Sequence, residues 1–326
     1  MANDMSNPIA DELRKAPEVA LFSHISPDGD CLGSMLALGL ALKRIGKRVK
    51  LYNPDEIPHN LDFLPGVQEV QKDLPESLPQ TLCFVDCTDL QRTNLVADQF
   101  PENVVILNVD HHISNHNFGT LNWVDPKASA SGEIIMALIE ELGVPLDHDI
   151  ATNLYTALVT DTGSFQYSNT TAKTHLLAAK LMDAGIDLLQ IHHLIFDQKP
   201  LAQVKLLSKG LSELELYSEG RLAVITLHQE DFEETGAKEN LSEGVINNAR
   251  CIEGVEVAVL FKEIEKQKIR IGLRSNLWFN VNELAARFGG GGHKRAAGCT
   301  MEVSLEEARK SVIRTIEEEL SIGRGH

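Results

Sequence analysis

Acidic and imidazole side chains follow three apolar runs of this sequence, "VALF", "TLCFV" and "VVILNV", at the point where each run ends. A further carboxylate ends the apolar run in "LVTDTGSF". Burying such groups costs several kcal/mol unless each finds a hydrogen-bond partner or a metal. The eight residues, in chain order, are His24, Asp28, Asp30, Asp86, Asp110, His111, His112 and Asp161.

The chemistry that suits this set is the binding of divalent cations. Five carboxylates that converged without cations would repel one another and raise one another's pKa values. An oxygen-rich set with a few imidazoles and no thiolate suits Mn²⁺ or Mg²⁺ better than a structural Zn²⁺. So many ligands favour two ions sharing a bridging carboxylate, and two ions about 3.5 to 4 Å apart form the usual clamp for in-line displacement at phosphorus.

A second stretch, "FGGGGHKRAAG", has residues that suit an anion. Consecutive glycines let the backbone approach a ligand closely and present N–H groups to it. A bare glycine run is more typical of a turn, but the basic residues after it, and the end of "IRIGLRSN", favour a phosphate-binding role. We therefore predict that substrate is bound by Arg274, Ser275, Gly290, Gly291, Gly292 and His293.

The elements that must position the acidic and imidazole residues alternate along the first half of the chain. Strand-like runs at 19–24, 48–52, 81–86 and 103–110 are separated by helix-compatible segments such as "CLGSMLALGLALKRIG". This alternation predicts an α/β fold with a mostly parallel sheet covered on both faces. The carboxyl ends of its strands share one edge, where ligand sites form.

The pattern changes beyond residue 186. Residues 186–216 predict helices interrupted by a proline and contain no strand candidate, whereas several strands and a helix are predicted after them. We therefore predict an N-terminal domain over 1–190, a helical connector over 191–215 and a smaller α/β domain over 216–326. Trp278 is expected to pack in a core or a domain interface, although its closeness to Arg274 leaves stacking on a base open.

Composition disfavours several classes of protein. The chain has 326 residues, of which 43% are apolar and 24% charged, and its formal net charge is −17, which disfavours coating of long nucleic acid. The uncharged stretch 31–42 is shorter than the roughly 17 to 25 residues that span a membrane. The N-terminal segment lacks the apolar core of a signal peptide. Five cysteines without a C-x-x-C pair are typical of reduced thiols, so we expect a soluble cytoplasmic protein.

These motifs together resemble the DHH phosphoesterase superfamily in its DHH plus DHHA1 architecture. The segments "HISPDGD", "FVDCTD", "VDHH" and "LVTDTGSF" are similar to its four metal-site motifs, in order. The segments "GLRSN" and "VNELAARFGGGGHKRAAG" are similar to its substrate-binding domain. The resemblance covers essentially the whole chain. At this compact length the chain looks most like the NrnA group, which are nanoRNA phosphodiesterases that also remove the 3′-phosphate from pAp.

The resemblance implies two Mn²⁺ ions, for which Mg²⁺ or Co²⁺ are candidate substitutes. The ligands that it implies for one ion are His24, Asp28 and Asp86. The ligands that it implies for the other ion are Asp30, Asp86, His111 and Asp161, so that Asp86 is the bridge.

The resemblance also implies roles for residues that do not bind the ions. His112 would face the scissile phosphate and stabilise developing charge, and Asp110 would orient an imidazole. Arg274, Ser275 and His293 would hold the substrate from the second domain.

The implied activity is hydrolysis of very short RNA to nucleoside monophosphates, by in-line attack of a water that bridges the two ions, together with removal of the 3′-phosphate of pAp. A phosphodiesterase for cyclic dinucleotides or for linear products such as pApA shares all the metal motifs and stays open. A pyrophosphatase would share only the first domain, and a processive exonuclease of the RecJ kind is disfavoured by size and charge. A catalytically inactive nucleotide-binding protein is disfavoured by the complete ligand set. The oligomeric state, including a homodimer, is left open.

Overall fold

The computed structural model describes residues 7–95, 97–242 and 244–322. The chain divides into two compact units, with the division between Gln198 and Lys199. The predicted domain bounds stay a prediction: an N-terminal domain over 1–190, a helical connector over 191–215 and a C-terminal domain over 216–326. Residues 1–6, where the segment without signal-peptide character begins, lie outside the described residues. None of the helices in the described ranges combines the length and the apolar character that a membrane-spanning helix needs.

The first unit is built on a six-stranded sheet. Its strands are β1 (Glu18–Phe22), β2 (Arg48–Tyr52), β3 (Val70–Gln71), β4 (Thr81–Val85), β5 (Val105–Asp110) and β6 (Leu121–Val124). The strand order is β3-β2-β1-β4-β5-β6, and every neighbouring pair is parallel. The predicted α/β fold with a mostly parallel sheet is therefore confirmed. Because β1, β4 and β5 are direct neighbours, the three predicted chemistry-bearing strand ends lie side by side.

Helices cover this sheet. They are α1 (Pro8–Lys15), α2 (Gly29–Arg44), α3 (Ser131–Glu141), α4 (His148–Asp161), α5 (Ala172–Asp183) and α6 (Leu188–His192). Helix α2 is apolar on nearly all sides and almost wholly buried. Helices α3 and α5 are each followed by a left-handed glycine, Gly143 at φ 75° and Gly185 at φ 85°, which is a common way for a helix to end.

Two glycines let α2 pack closely against α4. A Cβ atom at Gly33 would lie 2.4 Å from the carbonyl oxygen of Asn153, and one at Gly29 would lie 2.5 Å from the Thr160 side chain. Real Cβ atoms do not approach other atoms so closely, so any larger residue would push the helices apart. This packing sets the start of α2, with Asp30, beside the end of α4, with Asp161.

The second unit has its own sheet. Its elements are α7 (Leu201–Ser212), β7 (Glu215–Tyr217), β8 (Leu222–Leu227), α8 (Gln229–Thr235), α9 (Val245–Arg250), β9 (Val257–Glu265), β10 (Lys268–Ser275), α10 (Val281–Arg287), β11 (Gly291–His293), β12 (Ala296–Met301) and α11 (Leu305–Ile322). The strand order is β11-β12-β10-β9-β8-β7, and β8 and β9 form its parallel pair. The prediction of no strand over 186–216 is wrong at β7. This three-residue edge strand exists because it pairs with β8, which local sequence does not show.

Candidate metal centre and substrate residues

Strand ends and helix ends meet at one edge of the parallel sheet. His24 follows β1, Asp86 follows β4, and Asp161 is the last residue of α4. Asp86 has a left-handed backbone, with φ 59°, and its N–H donates to the carbonyl of Val109 at 2.9 Å. This conformation is uncommon outside glycine but is tolerated better by Asp than by most residues. The chain therefore turns sharply off β4 at the residue that lies at the middle of the cluster.

The distances show one carboxylate between two groups of side chains. His24 Nε2 lies 3.3 Å from Asp86 Oδ2 and 3.8 Å from Asp28 Oδ2. His111 Nε2 lies 3.8 Å from Asp86 Oδ1, 3.7 Å from Asp30 Oδ2 and 3.6 Å from Asp161 Oδ2. Asp86 thus contacts the two imidazoles through its two different oxygens.

The orientation of the two imidazoles fits metal coordination. Nδ1 of His24 lies 2.7 Å from the carbonyl of Ile25, and Nδ1 of His111 lies 3.2 Å from that of Ala128. Each carbonyl accepts a hydrogen bond from Nδ1–H, so Nε2 is the nitrogen that faces the carboxylates and can act as a ligand. Cys31 lies close to the first group, but burial raises the pKa of its thiol well above the usual value, so a thiolate ligand is disfavoured.

The charges of the cluster also fit cations. Burial and the charge of Asp86 raise the pKa of Asp30 well above its usual range, and burial raises the pKa of Asp161 to about 7. Burial acts to lower the pKa of His24 and His111, but the neighbouring carboxylates outweigh it and raise each pKa to about 9. Protons therefore balance the carboxylates in the metal-free cluster. Divalent cations would replace those protons, which is the usual linkage of metal binding to pH.

Asp110 contacts its own neighbours rather than the other carboxylates. Its Oδ1 lies 2.7 Å from His112 Nδ1 and accepts from the N–H of His111 at 2.8 Å. Its Oδ2 accepts from Asn115 Nδ2 at 2.5 Å, and the residue is fully buried. These partners suit a residue that fixes the ring of His112. That role stays a prediction.

Helix α3 contributes residues that sequence analysis missed. The N–H groups of Ser131 and Gly132 donate to the two oxygens of Asp30 at 2.7 and 3.0 Å. The Ser131 hydroxyl donates to Asp86 Oδ1 at 2.8 Å. The one sequence signal for this site is "SASGE" before the apolar run of α3, which marks a helix start, where N–H groups lack intrahelical partners. The start of α3 therefore holds two of the cluster's carboxylates in place.

Replacing Ser131 with alanine is expected to reduce kcat/KM and Mn²⁺ affinity by about tenfold, because groups that orient metal ligands contribute roughly that much. Metal titration and steady-state kinetics on one preparation measure both effects. Ser129→Ala is a matched control, since that buried hydroxyl donates to Glu133 at 2.9 Å and to none of the carboxylates of the cluster. Equal metal affinity in Ser131→Ala and Ser129→Ala would contradict the assignment.

In the second unit, β-pairing brings two predicted substrate residues into one row. Arg274 on β10 pairs with Ala296 on β12, and Ala296 pairs with His293 on β11. Residues directly opposite in antiparallel strands have side chains on the same face, so Arg274 and His293 share a face about 10 Å apart, with a small residue between them. Arg274 and His293, whose side chains can both donate hydrogen bonds to an anion, therefore lie on either side of Ala296 in one cross-strand row.

The other predicted substrate residues have structural partners. Ser275 is buried and its hydroxyl donates to the carbonyl of Phe279 at 2.7 Å. A Cβ atom at Gly290 would lie 2.1 Å from the carbonyl of Gly298, and one at Gly292 would lie 2.5 Å from that of Ala296. Close packing of backbone against β12 thus already requires these two glycines, whereas a Cβ atom at Gly291 would meet only Asn282 Oδ1, at 3.7 Å. Substrate binding by all three glycines and by Ser275 stays a prediction.

Known proteins resemble this chain over nearly its whole length. A curated relative from Thermus thermophilus, named bifunctional oligoribonuclease and PAP phosphatase NrnA, is 33% identical, with 95% of this chain and 93% of the relative covered. A Bacillus subtilis protein of the same name is 28% identical, with 89% and 91% covered. The crystal structure of an exopolyphosphatase-related protein from Bacteroides fragilis has a TM-score of 0.87 and 27% identity, with 95% and 94% covered.

Two family models match the two parts of the chain. The model of the DHH family N-terminal domain matches residues 18–158, and that of the DHHA1 domain matches residues 220–321. Together with the cluster at the sheet edge, these matches define a metal-dependent phosphoesterase. The chain belongs to the DHH/DHHA1 phosphoesterase family.

Proposed function

We propose that this protein is a manganese-dependent phosphodiesterase that hydrolyses very short RNA to nucleoside monophosphates and removes the 3′-phosphate from pAp. The observation that carries the proposal is the position of Asp86, whose two oxygens lie 3.3 Å from His24 Nε2 and 3.8 Å from His111 Nε2. One carboxylate that serves two ligand groups suits a two-ion site. The names of the Thermus and Bacillus relatives support the substrate class.

The ions would be held by the groups that the distances define. The ligands proposed for one ion are His24, Asp28 and Asp86. The ligands proposed for the other are Asp30, Asp86, His111 and Asp161. When bound, two such ions act as a Lewis acid on a phosphoryl group and lower the pKa of water.

His112 would bind the phosphoryl group of the substrate. Asp110 and Asp86 lie 2.7 and 3.5 Å from its Nδ1. Burial acts to lower the pKa of His112, but the hydrogen bond with Asp110 and the charge of Asp86 outweigh it and raise the pKa. A raised pKa favours the protonated ring, in which Nε2 also carries a proton and can donate to a phosphate oxygen, stabilising the charge that develops there.

Arg274 and His293 would hold a second group of the substrate, its terminal phosphate. Both side chains lie on one face of the second sheet, with Ala296 of the strand between them. An arginine in such a row offers two N–H groups to one phosphate. These residues position the substrate and take no part in the chemical step.

Arg274→Ala is expected to raise KM about tenfold, as loss of a hydrogen bond to a charged group does, and to leave the metal content unchanged. Arg270→Ala is the matched control, because Arg270 lies four residues earlier on the same face of β10 and forms an ion pair with Glu239 at 2.5 Å. Steady-state kinetics on a dinucleotide and metal analysis of both variants give the comparison. Metal loss in Arg274→Ala, or an equal KM in both variants, would contradict the role.

The substrate class is tested by measuring turnover of pApA, a five-nucleotide RNA, pAp, cyclic di-AMP and a 24-nucleotide RNA side by side with Mn²⁺. We expect kcat/KM to be highest for RNA of about two to five nucleotides, because the net charge of −17 offers little long-range attraction to a longer strand. Equal efficiency on the longest RNA would refute the short-substrate proposal. Highest efficiency on cyclic di-AMP would favour a cyclic-dinucleotide phosphodiesterase instead.

We also propose that the protein works in the cytoplasm. Support comes from the cysteines, all of which are free thiols, four of them buried. Such thiols suit a reducing compartment.

A further inference from the structure

The loop between β10 and α10, residues 276–280, displays two apolar side chains. Leu277 is 76% exposed and Trp278 is 46% exposed. Trp278 therefore does not lie in a core, and a domain interface, the other predicted environment, stays a prediction. Within the described part of the second unit, Trp278 is the one aromatic side chain among the exposed large hydrophobic residues. An indole left in water forgoes the stabilisation of burial, so its display on an ordered loop calls for a physical reason.

A buried carboxylate fixes the backbone of this loop. Glu256 is only 6% exposed. Its oxygens accept from three successive N–H groups: that of Leu277 at 3.1 Å, that of Trp278 at 2.8 Å and that of Phe279 at 2.7 Å. Three donors stabilise a charge whose burial would otherwise cost several kcal/mol. The loop therefore has one defined conformation around Glu256.

A guanidinium group fixes the carbonyl side of the same loop. Arg295 Nη1 donates to the carbonyl of Phe279 at 2.8 Å, and Nη2 donates to that of Leu277. The hydroxyl of Ser275 donates to the Phe279 carbonyl at 2.7 Å and so joins the two ends of the loop. Hydrogen bonds to the backbone thus fix the loop, and the indole of Trp278 itself contacts the Phe279 ring, with centroids 5.7 Å apart. A simple connection between a strand and a helix has no need of such anchoring.

The anchoring also keeps Trp278 at the end of the strand that carries Arg274, one of the residues proposed to bind phosphate. Because the loop closes back on Ser275, Trp278 stays at the end of β10, four residues from Arg274. Arg274 in turn shares its row with His293. A nucleotide has a phosphate and a flat base within the same molecule. The end of β10 therefore carries Arg274, which suits a phosphate, and leads into an anchored loop that displays an aromatic ring, which suits a base.

We propose that Trp278, flanked by Leu277, is the surface on which a base of the substrate stacks, and that it makes the enzyme prefer nucleotides over phosphoesters without a base. This inference rests on the proposed function and extends it to a specificity-determining residue. Stacking tolerates any base, since every base has a π-face. It therefore suits an enzyme that takes RNA without regard to sequence.

The test compares Trp278→Ala and Trp278→Phe on a dinucleotide RNA and on the same dinucleotide with one abasic ribose. Trp278→Ala should lower kcat/KM for the intact dinucleotide about tenfold, mainly through KM, as loss of one stacked base does. It should leave the abasic substrate unaffected, and Trp278→Phe should retain most of the activity. Leu216→Ala, which removes a half-exposed apolar side chain on β7, is the control and should match the wild type on both substrates.

Equal kinetics for Trp278→Ala and the wild type on the dinucleotide would overturn the inference. An equal loss on the abasic substrate would also overturn it, because the tryptophan would then act on the fold rather than on a base. If Trp278→Ala melts at the same temperature as the wild type, unfolding does not explain a loss of its activity. Trp278→Phe allows the same comparison of the two substrates with a smaller change to the side chain.

A binding measurement separates this inference from the proposed function. The chain has two tryptophans, so Trp123→Phe leaves Trp278 as the only indole. Titration of that variant with AMP in the presence of a chelator should quench its fluorescence saturably. Suppose that AMP quenches the fluorescence but the metal-loaded enzyme hydrolyses neither RNA nor pAp. Base stacking would then stand, and the proposed activity would be refuted. Hydrolysis without quenching would overturn base stacking alone.

Discussion

Replacing Asp86 with asparagine is expected to lower kcat/KM by on the order of 10³-fold or more, since metal ions contribute several kcal/mol of transition-state stabilisation. Its carboxylate contacts both imidazoles, His24 at 3.3 Å and His111 at 3.8 Å, so the change disturbs both proposed ion sites. Asparagine keeps the shape of the side chain and removes its charge. A loss of activity would therefore result from the loss of a metal ligand rather than from a cavity at this position.

Asp110→Asn is the matched comparison, because Asp110 is also a buried aspartate at a strand end of the same sheet. It contacts His112 at 2.7 Å. We expect a smaller loss, about 10- to 100-fold, with both ions still bound, as for other residues that orient functional groups. Kinetics and metal analysis of the two variants give the result. Equal losses, with two ions retained in Asp86→Asn, would refute the bridging role.

Removal of metal is expected to abolish activity completely, and Mn²⁺ should restore it far better than Zn²⁺. The ligand set is mainly carboxylate oxygen, which suits Mn²⁺ and Mg²⁺, and the nearby Cys31 keeps its proton because burial raises its pKa. Dialysis against a chelator, followed by addition of single metals, measures this. A metal-free preparation that kept full turnover would contradict the proposal.

Removal of the metal should also lower the stability of the folded protein, and addition of Mn²⁺ should restore it. Cations that neutralise Asp30 and Asp161, whose pKa values burial raises, stabilise the folded state in which those carboxylates converge. At a Mn²⁺ concentration of 100 times its dissociation constant, each site adds about 2.7 kcal/mol. For a domain of this size that corresponds to a rise in Tm of about 5 to 10 °C. A Tm that is the same with and without Mn²⁺ would argue against ions bound within this cluster.

The arrangement of the first unit could be predicted because the signals are local and regular. Apolar runs of strand length end in acids and imidazoles, and parallel strands bring such ends to one edge. His24, Asp86 and His111 follow neighbouring strands for that reason. Ser131 could not be found in this way, because its bonds to Asp30 and Asp86 join positions 101 and 45 residues apart. Those contacts depend on where α3 begins relative to the sheet.

The second unit was less predictable because tertiary contacts outweigh local pattern there. The glycines of "FGGGGH" suggested a ligand cradle, but Gly290 and Gly292 are also required by the close approach of β12. The strand β7 is defined by its pairing with β8 rather than by its three residues. Trp278 was expected in a core or a domain interface, yet it is 46% exposed, on a loop whose backbone is held by Glu256 and Arg295.

The most direct test of the two-ion centre is anomalous diffraction at the manganese edge, from crystals of the wild type grown with Mn²⁺. Two peaks are expected in the first unit, both with Asp86 as a ligand. One should also contact His24 and Asp28, and the other Asp30, His111 and Asp161. A single peak, or manganese bound away from Asp86, would contradict a two-ion centre bridged by this carboxylate.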